Sequence, residues 1–280
     1  MYKNLCYHTH NSFCDGENSI EEMIQEAVNQ NITALGISSH APLKIANKWS
    51  ISYENLLNYS QEIDNLRHKY RNKLHLFKSL EIDFIPSYTY PFAHFRSLLH
   101  LDYTIGSIHL VLNTQNNQLW FIDGDKNECQ QNFKTIFSSN IREAITSYYN
   151  QTRKMILTQQ PDIIGHLDKV VMNTAGEFFN EKEAWYQEEV DKTLKVIKEA
   201  GSIIEINTRG LYKQKWHTSF PSPEILGKAN KLEIPIIITS DAHHTSELLS
   251  NYEEAAIIAK KCGYSHVMRF ENNTFNKMKI

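Results

Sequence analysis

Histidine is the residue type that stands out in this sequence of 280 residues, which contains 13 of them. Imidazole is a common ligand of metal ions and titrates near neutral pH. His8 and His10 are two residues apart, and Asp241 and His243 have the same spacing. Residues i and i+2 of a β-strand share one face, so each pair suits two ligands of one ion.

Four further ligand-type residues each follow a short apolar run, and these residues are His40, Glu81, His109 and His166. Taken alone, each has an ordinary interpretation, either a hydrogen-bonded buried histidine or a salt-bridged glutamate. A carboxylate at Glu81 would be costly to bury without a cation. The joint pattern, rather than any single residue, therefore favours metal binding.

Short runs rich in Ile, Leu and Val alternate with longer polar segments of helical periodicity, which is typical of βα units around a parallel sheet. The predicted strands are 4–7, 34–38, 74–80, 103–107, 163–165, 202–206 and 235–239, with a closing strand near 266–270. The first predicted helix begins after the N-cap Ser19 and continues through Val28. The other predicted helices cover 53–70, 141–157, 181–200, 222–231 and 246–262. Segment 110–140 is predicted as an ordered functional loop. Seven strands linked by helices indicate a barrel, and we expect one domain over residues 1–280.

The carboxyl ends of all strands in a parallel barrel open on one face. Ligand-type residues follow every predicted strand except the sixth, so we expect them to converge on one metal site. Five histidines lie in helical stretches or at strand starts and are left outside this site, namely His68, His75, His94, His100 and His266. His217 and His244 remain ambiguous.

Composition narrows the expected partners and location. The net charge of -3 leaves no excess of basic residues to neutralise a phosphate backbone, so nucleic acid is not an expected partner. The N-terminus has no apolar core of signal-peptide length and no run is long enough for a membrane span, so we expect a cytoplasmic protein that does not bind membranes. The four cysteines form no CxxC pair and are expected to be free thiols in a reducing compartment. A homodimer is compatible with the sequence.

Six motifs resemble those of the polymerase and histidinol phosphatase (PHP) family. They are His8-Thr-His10-Asn-Ser-Phe-Cys-Asp15-Gly, Ile37-Ser-Ser-His40-Ala-Pro, Leu80-Glu81, Gly106-Ser-Ile-His109, Gly165-His166-Leu-Asp168 and Ser240-Asp241-Ala-His243. Three further stretches are similar to the stand-alone histidinol-phosphate phosphatases of that family, namely Trp120-Phe-Ile-Asp123, Tyr148-Tyr-Asn-Gln-Thr-Arg153 and Glu205-Ile-Asn207-Thr. The resemblance runs from the first predicted strand to Ser246.

The resemblance implies a distorted (β/α)7, TIM-like barrel with three divalent ions of Zn, Mn or Fe at the carboxyl ends of the strands. The implied ligands are His8, His10, Glu81 and Asp241 for the first ion, Glu81, His109 and His166 for the second, and Asp15, His40 and His243 for the third. Asp15 stands where many relatives have histidine. A carboxylate there favours Mn or Fe over a purely imidazole site.

The implied activity is hydrolysis of L-histidinol phosphate in histidine biosynthesis, by attack of a metal-bridged hydroxide on phosphorus. A small phosphate monoester is thus the expected partner. Residues with implied catalytic roles are Asp241, His243 and Arg153. Arg153 and Arg209 are hypothesised to bind the phosphate, because a guanidinium offers paired donors.

The amine and imidazole of the substrate call for acidic and aromatic groups. Trp120, Asp123 and Glu205 are hypothesised to supply them because of their loop positions. Asp168 is expected to orient a ligand imidazole.

Three other functions stay open at this point. One is a phosphodiesterase or exonuclease like the PHP domains of DNA polymerases, and a second is a catalytically silent metal-binding module. A third is a metal-dependent hydrolase of C–N bonds, although neither the bridging lysine nor the eight-strand plan usual in that class can be placed in this sequence.

Overall fold

Parallel strands and their connecting helices alternate in the computed structural model, which describes residues 4–280. The strands are β1 Leu5–Cys6, β2 Ala34–Ile37, β3 His75–Lys78, β4 Glu81–Asp83, β5 Ile105–Ser107, β6 Leu110–Asn113, β7 Gln118–Phe121, β8 Ile163–Ile164, β9 Ile203–Asn207, β10 Ile236–Thr239, β11 His266–Glu271 and β12 Thr274–Lys279. The α-helices are α1 Ile20–Asn29, α2 Leu56–Tyr70, α3 Phe92–Leu99, α4 Lys126–Ile136, α5 Ile141–Gln159, α6 Ala184–Ala200, α7 Arg209–Tyr212, α8 Pro223–Lys231 and α9 Tyr252–Lys261.

The parallel strands form two sheets that together make a distorted barrel. One sheet has the order β1-β2-β3 and the other the order β10-β9-β8-β5-β4. Because β3 and β4 follow each other closely in the chain, they fill one position of the barrel, which gives seven positions in all. The expected distorted (β/α)7 architecture is confirmed.

A single parallel bridge between Thr9 and Ala242 joins the first barrel strand to the last. The backbone N–H of His10 donates to the carbonyl of Ala242 at 2.8 Å, and the N–H of Ala242 donates to the carbonyl of His8 at 3.2 Å. We call these contacts the seam of the barrel. They lie at the carboxyl ends of β1 and β10.

One strand was expected over residues 74–80, but the structure has two short strands here, β3 and β4, and β4 begins at Glu81. The backbone N–H of Glu81 lies 3.1 Å from both the Ser38 and the Ser39 carbonyl, so the regular ladder is interrupted there. Irregularities of this kind bend a strand and re-aim its side chains. The interruption places the Glu81 side chain at the mouth of the barrel.

The prediction of a loop over 110–140 is wrong. Strands β6 and β7 form an antiparallel hairpin whose turn contains Asn117 at φ +58°. Helix α4 follows, and the side chain of its N-cap Asp125 accepts from the backbone N–H of Glu128. The turn-forming asparagines and the N-cap aspartate are the local signals for this arrangement.

The closing strand expected near 266–270 is not part of the barrel. Strand β11 pairs antiparallel with β12 instead. Phe270 packs with Tyr103, at a ring-centroid distance of 5.6 Å, and shares a buried cluster with Leu5, Ile105 and Ile163, each the first residue of its strand. The hairpin therefore covers the amino ends of the barrel strands.

The helices agree with the predicted segments, with local differences. Ser19 forms the predicted capping box with Glu22, and Gly201 ends α6 at φ +73°. The segment 246–262 is interrupted at Asn251, whose φ of +58° stops the preceding turn before α9. Helices α3, α4 and α7 were not predicted. No helix within residues 4–280 is long and apolar enough to cross a membrane, and the single domain stays a prediction.

Candidate metal centre

All nine ligand-type residues predicted from the sequence lie together at the carboxyl ends of the barrel strands. His8 and His10 follow β1, His40 follows β2 and Glu81 begins β4. The others, placed after β1, β5, β8 and β10, are Asp15, His109, His166, Asp241 and His243. The parallel strands thus bring residues from both ends of the chain to one face.

Glu81 lies at the middle of this group and is 1% exposed. Its Oε2 is 3.2 Å from His8 Nε2 and 3.4 Å from His10 Nε2. Its Oε1 is 3.0 Å from His166 Nε2 and 3.9 Å from His109 Nε2. The two oxygens of one carboxylate therefore face two sets of imidazoles.

Three overlapping groups bring their ligand atoms within 4.8 Å of one another. The groups are His8 with His10 and Glu81, His40 with Glu81 and His109, and His10 with Asp15, His40 and His243. Asp241 adjoins the first group, because its Oδ1 is 3.2 Å from His10 Nε2. Imidazole and carboxylate donors at such distances fit divalent ions. The assignment of each residue to one ion stays a prediction.

Carboxylate oxygens form hydrogen bonds with the Nδ1 atoms of two of these imidazoles. His8 Nδ1 is 2.5 Å from Glu205 Oε1, and His109 Nδ1 is 2.8 Å from Asp83 Oδ1. Such partners fix the ring orientation and the tautomer of a metal-binding histidine, and they leave Nε2 as the ligand atom. Asp83 was not predicted from the sequence, although it follows Glu81 at the strand spacing of two.

Glu205 was predicted to contact substrate, but it is fully buried beneath the cluster. Besides His8, it accepts from the backbone N–H of His166 at 2.7 Å and from the Thr239 hydroxyl at 2.6 Å. Its oxygens are thereby committed to residues of the barrel. The prediction of a substrate contact is wrong, because a central strand position points Glu205 into the barrel.

The electrostatics of the cluster favour bound cations. Burial alone would lower the pKa of His8, but three neighbouring carboxylates outweigh it and raise that pKa to about 10. Burial would likewise raise the pKa of Glu81, but the surrounding imidazoles hold it well below its usual range. The carboxylates are therefore ionised at neutral pH, and a metal ion competes with protons for the imidazoles.

Two ligand-type residues adopt left-handed backbone conformations, His166 at φ +23° and Asp241 at φ +54°. Such conformations cost roughly 1–3 kcal/mol each in non-glycine residues and concentrate at functional sites. The Asp241 carbonyl accepts from Arg209 at 2.9 Å and from the Tyr212 hydroxyl at 3.2 Å. These bonds hold the Asp241 carboxylate toward the cluster.

A cavity of about 230 Å³ opens directly over the cluster. Its walls outside the ligand-type residues are formed by Trp49, Phe121, Asp123, Gly124, Lys169, Arg209 and Lys215. The rings of Trp49 and Phe121 are near parallel, with centroids 5.5 Å apart and an interplanar angle of 16°. The predicted Asp123 and Arg209 thus reach the cavity, whereas Trp49, Phe121, Lys169 and Lys215 were missed.

Lys169 is the buried cation of this cavity wall. Its Nζ is 2.6 Å from Asp123 Oδ2 and 3.3 Å from His109 Nε2. Its position three residues after His166, in the same loop, was the available sequence signal. Asp123 is therefore ion-paired with Lys169 as well as facing the cavity.

Arg153 does not reach the site. Its guanidinium lies between α5 and α6, where it donates to Glu189 Oε2 at 2.7 Å and to Thr193 Oγ1 at 2.8 Å. Both the catalytic and the phosphate-binding prediction for Arg153 are corrected, because its face of α5 packs on α6.

Trp120 was also predicted to contact the substrate, but it does not line the cavity. It is fully buried, its indole donates to the Cys129 carbonyl at 2.9 Å, and it packs with Phe133 and Phe137. Successive residues of β7 face opposite sides. Phe121, rather than Trp120, is therefore the residue in the cavity wall.

Asp168 does not orient a ligand imidazole as expected. Its Oδ2 accepts from the backbone N–H of Ser222 at 2.9 Å, and burial raises its pKa to about 8. His166 Nδ1 has no hydrogen-bond partner among the described residues. The five histidines left outside the site, and the ambiguous His217 and His244, do not contribute to the cavity wall.

The seven-position barrel and its histidine-carboxylate cluster define a class of protein, and the chain belongs to the PHP domain family, whose sequence model matches residues 5–209. A probable histidinol-phosphatase of Schizosaccharomyces pombe is 23% identical over 94% of this chain and 88% of its own. The histidinol-phosphatase of Bacillus subtilis is 26% identical, covering 88% of this chain and 96% of its own. The crystal structure of the Lactococcus lactis histidinol phosphate phosphatase, complexed with Zn, L-histidinol and phosphate, has a TM-score of 0.69 and 19% identity over 98% of this chain and 99% of its own.

Proposed function

We propose that this chain is a metal-dependent phosphatase that hydrolyses L-histidinol phosphate to L-histidinol and phosphate. The observation that carries the proposal is the convergence of eight histidine and aspartate side chains around Glu81 beneath a small cavity. The full-length similarity to proteins named histidinol-phosphatase supports the substrate.

The chemistry of the donors supports three divalent ions of Zn, Mn or Fe, held by the nine residues as the family pattern implies. Ions in such a site supply a water nucleophile at neutral pH and Lewis-acid stabilisation of phosphoryl oxygens. Asp15 adds a carboxylate to the group with His40 and His243, which favours Mn or Fe at that position.

The cavity walls offer cations for the phosphate. The Arg209 guanidinium is fixed by the Asp241 carbonyl and the Tyr212 hydroxyl while it also lines the cavity. Lys169 also lines the cavity, beside His109. A guanidinium or an ammonium group held in place binds phosphate without first being ordered, so each contact loses less conformational entropy.

The same walls offer complementary groups for the rest of the substrate. L-histidinol carries an ammonium and an imidazole, which call for a carboxylate and an aromatic surface. Asp123 supplies the carboxylate, and the stacked Trp49 and Phe121 supply the aromatic surface. Asp123 belongs to the set expected from the sequence, whereas Trp49 and Phe121 take the places of Trp120 and Glu205.

The size of the cavity bears on the alternative of a phosphodiesterase or exonuclease. A pocket of about 230 Å³ suits a small ligand rather than a polymer. The net charge of -3 also offers no basic surface excess for a nucleic acid. The monoester is therefore the preferred substrate class.

Phosphate release tests the proposal. We would compare L-histidinol phosphate, p-nitrophenyl phosphate and bis(p-nitrophenyl) phosphate, using wild-type protein loaded with Mn or Zn, the Asp241→Asn variant and the control His68→Asn on the exposed face of α2. We expect strong preference for L-histidinol phosphate, loss of activity in Asp241→Asn and no change in His68→Asn. Preference for the diester would favour a phosphodiesterase, and inactivity on all three esters would favour a silent metal-binding module.

The location and assembly are part of the proposal. All four cysteines are free, which supports a cytoplasmic protein. A homodimer is checked by light scattering of the purified protein.

A further inference from the structure

The second ring nitrogen of His10 faces a sulfur atom. Nδ1 of His10 lies 3.5 Å from Cys14 Sγ, within hydrogen-bonding distance for sulfur. In the same cluster, the Nδ1 atoms of His8, His109 and His243 lie against oxygen atoms of Glu205, Asp83 and the Asp241 backbone. His10 therefore has a different kind of partner from these neighbours.

A tight turn holds Cys14 in this position. The backbone N–H of Cys14 donates to the Asn11 carbonyl at 2.9 Å, and the N–H of Phe13 donates to Asn11 Oδ1 at 3.0 Å. The Asn11 side chain is itself bound to Ser39 Oγ at 2.8 Å. A Cβ at Gly16 would lie 2.3 Å from the Asn11 backbone nitrogen, so the turn closes directly on the ligand segment. The sulfur is thereby fixed with respect to the His10 ring.

Asp15 is the carboxylate that would otherwise take this place. Its Oδ1 lies 3.7 Å from His10 Nδ1, but also 3.4 Å from His243 Nε2 and 3.8 Å from His40 Nε2. A carboxylate that accepted the His10 proton would be drawn from the group it forms with His40 and His243. The sulfur leaves that carboxylate available.

We propose that Cys14 is a positioning residue of the metal centre, whose sulfur accepts the Nδ1–H of His10. This bond keeps His10 Nε2 directed at Glu81 and Asp241 as a ligand atom. It also reserves Asp15 for the ion held with His40 and His243. The inference rests on the proposed metal centre and deepens it, because the nine predicted ligands include no thiol.

The test measures bound metal rather than turnover alone. Wild type, Cys14→Ala, Cys14→Ser and the control Cys262→Ala would be stripped of metal, titrated with Mn or Co, and analysed for ions per chain and the dissociation constant of each. Cys262 is a suitable control because its thiol lies against the Pro223 carbonyl, away from the cluster. We expect Cys14→Ala to raise the dissociation constant of the ion that His10 would hold by about 10- to 100-fold, the usual cost of losing a group that orients a ligand. Cys14→Ser should recover part of this loss, because a hydroxyl also accepts a hydrogen bond, and Cys262→Ala should match wild type.

Three results would overturn the inference. Unchanged ion affinities in Cys14→Ala would show that the sulfur positions nothing. A sulfur-to-cobalt charge-transfer band that disappears in Cys14→Ala would show that the sulfur is itself a ligand. A wild-type protein that binds no ion would overturn the proposed function as well, and this outcome is recognised before any variant is compared.

Discussion

The two ends of the barrel are built from the same strands but from opposite kinds of side chain. The carboxyl ends carry buried imidazoles and carboxylates, such as His8 and Glu81, which are 0% and 1% exposed. The amino ends carry Leu5, Ile105 and Ile163, which are covered by Phe270 of the β11–β12 hairpin. Only a few residues along each strand separate these two environments.

This difference shows how the barrel can hold so many buried charges. A charge removed from water is costly unless it is paired, and the cluster meets this requirement only through mutual contacts and bound cations. The apolar end needs no such partners, and its burial stabilises the fold by roughly 25 cal/mol per Å² of apolar surface. One end therefore supplies stability, and the other end carries the chemistry.

Replacing Glu81 by Gln should have the largest effect, and this effect should fall on the metal-binding end of the barrel. The change keeps the shape but removes the charge that faces two sets of imidazoles, so metal content should fall and activity should drop by on the order of 10³-fold. Metal analysis and phosphate release measure the effect. Glu54→Gln, on the exposed surface, is the matched control. Full metal content in Glu81→Gln would contradict the central role of this carboxylate.

Replacing Phe270 by Ala should have the opposite profile. The loss of a ring that is 4% exposed should lower the free energy of unfolding by about 3–5 kcal/mol. Activity per folded molecule should stay at the wild-type level, because Phe270 packs against the amino ends of the strands. Urea denaturation measures the free energy of unfolding, and phosphate release together with metal analysis measures the activity and metal content of the folded protein. A variant that folds but loses metal would mean that the two ends are coupled.

Replacing Glu205 by Gln should give the smallest of the three effects. Glu205 orients His8 from beneath without lining the cavity, so metal affinity should fall by about 10- to 100-fold. KM for L-histidinol phosphate, measured at saturating metal, should stay unchanged. Glu189→Gln, which loses its ion pairs with Arg153 and Lys192 rather than any contact with the cluster, is the control and should leave both quantities unchanged. A raised KM in Glu205→Gln alone would restore a substrate contact for this residue.

The sequence contained the information for the convergence of the cluster. His40, Glu81 and His109 each follow or begin an apolar run, and the common direction of parallel strands brings them together. The motifs identified the family because they occur in order over most of the chain. Neither inference needed the packing of a single side chain.

The sequence did not determine which face of a strand or helix points toward the cavity. Alternation in β7 separates Trp120 from Phe121, but the side that faces the cavity depends on how the hairpin packs on the barrel. Arg153 likewise lies on a helix whose orientation is fixed by contact with α6. The buried position of Lys169 depends on its ion pair with Asp123, and the proximity of Lys169 to His166 in the sequence does not indicate that ion pair.

The seam gives bound ions a role beyond phosphate chemistry. Thr9 and Ala242, which form its bridge, each lie between two ligand-type residues, so His10 on one side faces Asp241 on the other at 3.2 Å. An ion shared by these two residues would join the first barrel strand to the last. It would act as a reversible cross-link between residues far apart in the chain. Because the unfolded chain has no such site, the binding free energy of the ion would add to the stability of the folded barrel. Metal uptake would then reinforce the closure of the seven strand positions into a ring, which the two backbone hydrogen bonds of the seam already make.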